Sequence, residues 1–126
     1  MDAKRWKRLL RPGGRLRRQV DREAERLGRS APGTEHVLLA LLAAREGGGV
    51  EGVLDERGGA RLTALGLDYA RARAALATET VALPSDPRSV EEYLAITDTG
   101  ALVHSLLDDD TRARRLAEAL NGGGEE

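Results

Sequence analysis

Cysteine is absent from this 126-residue chain, and so is phenylalanine. Without cysteine there are no disulfides, no thiolate metal ligands and no thiol nucleophile, and the composition fits a reducing, cytoplasmic compartment. Aromatic side chains are confined to Trp6, Tyr69 and Tyr93. Residues that favour strands never alternate over a useful length, which excludes a β-architecture. No apolar run approaches the roughly 20 residues of a membrane-spanning helix. The basic start is not followed by the apolar stretch of about 7–15 residues that a secretory signal requires.

What is present is mostly Leu, Ala and Val, within an apolar fraction of 40%. Such a core suits close helix–helix packing, and we expect one all-α domain, a bundle of about six to eight short helices. The net charge of −1 conceals an asymmetry. Residues 1–29 carry eleven Lys and Arg against four acids, whereas the rest carries nine against seventeen. Such an imbalance gives either a solvated basic helix face or a surface for nucleic acid or another polyanion, with Trp6 as a stacking anchor.

Segment 1–14 is basic and breaks at Pro12-Gly13-Gly14, which is read as a helix stop. Leu16, Val20, Ala24 and Leu27 then form the apolar stripe of a helix over 15–27, closed by Gly28. Thr34 stands where an N-cap belongs, with Glu35 complementing the helix dipole and His36 one turn inside as a packed core histidine. The run Val37 to Ala44 is apolar all round and should be the central buried helix, ended by Gly47-Gly48-Gly49.

A third helix is expected over 50–57, with Val50, Val53 and Leu54 inward and an interruption at Gly58-Gly59. Asp68 should cap a fourth over 69–77. Residues 78–88 read as a connector, and Ser89-Val90-Glu91-Glu92 as a capping box opening the segment 89–121. Asp108-Asp109-Asp110 would supply the negative N-terminus of a last helix, and 122–126 an acidic tail.

Motifs of catalysis are missing. There is no Gly-x-x-x-x-Gly-Lys-Ser/Thr loop, no Gly-x-Ser-x-Gly elbow and no His-Glu-x-x-His helix. His104 and Asp108, four apart, are too few to make a metal site. We therefore expect no enzyme, no cofactor and no bound metal.

One arrangement is more specific. Glu23-Ala24-Glu25-Arg26-Leu27-Gly28, then Gly33-Thr34-Glu35-His36 leading into Val37–Leu42, then Gly49-Val50-Glu51-Gly52-Val53-Leu54 and Leu65-Gly66-Leu67-Asp68, resemble the N-terminal repeat of Clp-family unfoldases. The match covers about half the chain, over 15–77; Gly58–Ala64 looks inserted. The resemblance implies a tandem of four-helix repeats. The second would be degenerate, with Asp98-Thr99-Gly100-Ala101 on the Gly33–His36 position; an unrelated helical extension is the alternative. It also implies protein or peptide partners, including a Clp unfoldase, and a phosphoarginine-type site for which Thr34 and Glu35 are the matching residues. Asp98 and Thr99 would be the remnant of a second site. A repeat and a half could leave an apolar face open to a second copy, so a homo-oligomer is also expected.

Overall fold

The computed structural model describes residues 12–46, 56–78, 83, 85–96 and 98–122. Among these the chain is all helical. Seven helices follow in order: α1 (Pro12–Arg26), α2 (Thr34–Arg45), α3 (Glu56–Leu65), α4 (Tyr69–Ala77), α5 (Val90–Leu94), α6 (Thr99–Asp108) and α7 (Arg112–Gly122). None is long and apolar enough to cross a membrane.

The apolar run forms the centre, as its composition predicts. Every residue of α2 from Thr34 to Ala43 is buried, because α1, α4 and α7 all pack against it. Leu16, Val20 and Ala24 are the buried apolar residues of α1. The other strong pairing sets α3 on α6, and α7 on α6 joins the two groups of helices. Leu62, Leu102, Leu106 and Leu116 complete the core, together with Tyr93. The Tyr93 hydroxyl donates to Asp109 at 2.9 Å. Burial first, and that carboxylate second, push its pKa up to about 12.

Several ends follow from local chemistry. Gly28 and Gly66 adopt φ of 73° and 69° and terminate α1 and α3 in a conformation that favours glycine. Asp68 caps α4 through Arg71 N–H at 2.7 Å. Ser89 and Glu92 form the reciprocal capping box that their spacing predicts.

Three expectations are corrected. Pro12, Gly13 and Gly14 belong to α1, which opens at Pro12 rather than at the expected 15, since proline lacks only an N–H that the first turn leaves unused. Gly58 and Gly59 lie inside α3 and do not interrupt it. Each glycine costs only about 1 kcal/mol in a helix, and the complete burial of Leu62 against the core outweighs that. Asp108 ends α6 and Asp109 is its C-cap. Thr111 does the capping of α7, accepting from Arg114 N–H at 2.9 Å. Gly47–Gly49, Val50, Val53, Leu54, residues 1–11 and residues 123–126 lie outside the described residues.

Candidate functional site

The motif Gly33-Thr34-Glu35-His36 meets the start of α7, 77 residues further along in the case of Glu35 and Arg112. Asp86, between two prolines of the connector, sits at the junction. Its Oδ2 accepts from Thr34 N–H at 3.0 Å, and its Oδ1 accepts from the Thr34 hydroxyl at 2.6 Å and from Arg112 N–H at 2.9 Å. One carboxylate thus serves the N-termini of two helices, where both the unpaired N–H groups and the helix dipoles favour negative charge. The Thr34 oxygen in turn accepts from Ala113 N–H at 2.9 Å.

Glu35 completes the junction. Its two oxygens receive Arg112 Nε at 2.8 Å and Nη2 at 2.7 Å, a bidentate fork. The carboxylate side chain is 3% exposed and its partner 26%. The hydrogen bond to Glu35 raises the Arg112 pKa further, against the opposing effect of burial.

Thr34 therefore does not cap its own helix, contrary to expectation. The N-cap is Gly33, and its N–H donates to Nδ1 of His36 at 2.9 Å. Thr34 is released to tie α2 to α7. His36 is 2% exposed, and burial lowers its pKa, with Glu35 opposing and Arg112 and Arg29 reinforcing the shift. Protonation would also occupy the nitrogen that accepts from Gly33. Because the folded pKa is depressed below the ordinary 6.5, the unfolded chain takes up the proton first. The His36 contribution is complete above pH 6.5 and is lost as the pH falls through the folded pKa. Urea unfolding between pH 7.5 and 5 should show that decline, and it should be absent in His36→Gln.

Glycine at 33 leaves room for the Glu35–Arg112 fork. A Cβ there would lie 2.2 Å from Glu35 Oε1 and 3.2 Å from Arg112 Nε. Gly33→Ala should displace the Glu35–Arg112 fork and cost about 1–3 kcal/mol, as overpacking does; its thermal midpoint should fall accordingly.

The other candidates stand apart. Asp98 caps α6 by accepting from Gly100 N–H at 3.0 Å and is exposed. Thr99 opens that helix, and its side chain lies outside the described part. None of the hydrogen bonds that join Thr34, Glu35, Asp86 and Arg112 involves Asp98. His104 meets Arg61 and Asp108 on the surface, and no group of three or more His, Asp or Glu suited to a metal occurs among the described residues.

The Thr34 hydroxyl is engaged by Asp86 and Ala113, and His36 bonds the backbone rather than a hydroxyl nucleophile. Asp86 and Arg112 went unpredicted. The available signals were an aspartate inside Pro84-Ser85-Asp86-Pro87 and an arginine in the first turn of a helix, where a positive charge opposes the dipole unless a carboxylate compensates it. Comparison of the chain with protein-family models, with curated proteins and with solved structures finds no match.

Proposed function

We propose that the chain is a non-enzymatic protein- or peptide-recognition domain related to the N-domains of Clp-family unfoldases. It would act in the cytoplasm as an adaptor, substrate receptor or competitor for a Clp protease system. The observation that carries this reading is a correspondence between α2 and α6. Gly33 and Asp98 cap them, and Val37, Leu38, Leu41 and Leu42 are buried in one as Leu102, Val103, Leu106 and Leu107 are in the other. The same inward face recurs at the same distance from the cap. That supports a second, diverged repeat over 89–121. His104, in the place of Leu39, is exposed, so α6 keeps only one apolar side where α2 is buried all round.

The arginine fork gives the ligand reading a definite form. Glu35 takes a guanidinium in this fold, and the guanidinium belongs to Arg112 of the same chain. A phosphoarginine on a substrate would present the same group and compete with Arg112 for the carboxylate. Titration with a phosphoarginine peptide should then give tighter binding in Arg112→Gln than in the native chain, and none in Glu35→Gln. Binding that survives Glu35→Gln would place the ligand elsewhere. Co-purification tests the partner: the reading fails if neither Clp subunits nor Clp substrates are enriched.

A second reading has its own observation. Arg18 and Arg22 are exposed on one face of α1, four residues apart and outside any ion pair among the described residues. This favours polyanion binding by the basic N-terminal region. Strongly salt-dependent affinity for RNA or DNA would support it, and no binding at low salt would remove it.

A further inference from the structure

A polar cleft of about 370 Å³ opens between α1, the end of α2 and the start of α4. Glu23 lies in its wall with no exposed surface, an unusual place for a carboxylate. Tyr69 donates its hydroxyl to Glu23 Oε1 at 2.6 Å, Gln19 donates to Oε2 at 2.7 Å, and Arg26 lies 3.4 Å from that second oxygen. The second acid of the cleft, Glu46, accepts from Tyr69 N–H at 2.9 Å and pairs with Arg45 at 3.4 Å. Both carboxylates are therefore supplied with donors from within the chain.

The cations are not matched in the same way. Arg26 reaches Glu23 and the Tyr69 oxygen only at 3.4 Å and is half exposed. Arg73 also lines the cleft, is exposed, and forms no hydrogen bond or ion pair among the described residues. Its charge still acts on Tyr69, where it opposes the rise in pKa that burial and Glu23 cause. Setting Glu23 against Arg26 and Glu46 against Arg45 leaves Arg73 as the unbalanced charge.

We propose that this cleft is a binding site for a small oxyanion, a carboxylate or phosphoryl group, held by Arg73 and Arg26 beside Tyr69. Glu23 acts there as a positioning residue: its hydrogen bonds fix the phenol and draw Arg26 over the cleft. A cation is the poorer ligand, because each carboxylate already has its donors and two guanidiniums border the opening. A guanidinium supplies planar, paired N–H donors suited to an anion with two oxygens. The site is independent of the Glu35–Arg112 junction and of the function proposed above.

The test is an amide and arginine-Nε NMR titration of the full chain with sodium phosphate and with sodium acetate, against sodium chloride at matched ionic strength. Saturable shifts at Tyr69, Arg26 and Arg73 are expected. Arg73→Gln should weaken binding about tenfold, the loss of one charge-assisted contact, whereas Arg115→Gln, at an exposed residue of α7 outside the cleft, should leave it unchanged. Binding of acetate as well as phosphate would point to acidic peptide groups; binding of phosphate alone would point to phosphoryl groups. Equal shifts with chloride, or unchanged affinity in Arg73→Gln, would overturn the proposal.

Discussion

Replacing Arg112 by alanine will destabilise the fold by about 3–5 kcal/mol, because a carboxylate buried to 3% exposure loses its counter-charge. Against a total of roughly 5–15 kcal/mol for a domain, that is a large share. The melting temperature should fall by roughly 10–20 °C. Lysine will not restore it, since an ammonium cannot reproduce the two-point fork to Oε1 and Oε2. Free guanidinium, well below denaturing concentrations, should raise the melting temperature of Arg112→Ala relative to sodium chloride. It should not do so for the native chain, whose Glu35 is already served.

The second large effect is expected at Asp86. Alanine there strands three donors, the N–H groups of Thr34 and Arg112 and the Thr34 hydroxyl. Losing a cap costs about 1 kcal/mol per helix end, and each unsatisfied donor adds desolvation, so a total of about 2–4 kcal/mol is expected. Asn at 86 should fall between, keeping acceptor oxygen but losing the charge that complements two helix dipoles. Urea unfolding of both variants measures this directly. The m-value should stay constant, since what changes is the junction of two helices and not the surface exposed on unfolding.

The all-helical architecture was legible because it rests on local pattern. The stripe Leu16–Val20–Ala24, the apolar run Val37–Ala44 of α2 and the capping residues Asp68 and Ser89 all act within a turn or two of their own position. What failed at element ends was decided by tertiary contact. Gly58 and Gly59 read as a break on propensity alone, yet Leu62 and its neighbours on α6 hold that stretch helical. Asp108–Asp110 read as one cap, but chain geometry divides them between the end of α6 and the turn before Thr111.

The candidate site divides in the same way. Thr34, Glu35 and His36 stand out in the sequence by type and position, and all three are buried at the centre of the fold. The tasks of Thr34 and Glu35 were not readable, because their partners come from residues 86, 112 and 113, whereas His36, bonded to Gly33 within its own turn, is the packed histidine its position predicts. No local pattern shows that Asp86 would satisfy the free end of α2, leaving the Thr34 hydroxyl for α7. The buried Glu23 was likewise hidden: within α1 it reads as one of several charged residues, and its burial depends on Tyr69 of α4 as well as on Gln19 of its own helix.

The central claim is that Glu35 and Arg112 act on each other across the chain and clasp α2 to α7. A double-mutant cycle tests it most directly, with Glu35→Gln, Arg112→Gln and the double variant unfolded in urea. The account predicts a coupling energy above about 1.5 kcal/mol, beyond the range of exposed ion pairs. A coupling below about 0.5 kcal/mol, with the two single effects simply adding, would contradict it.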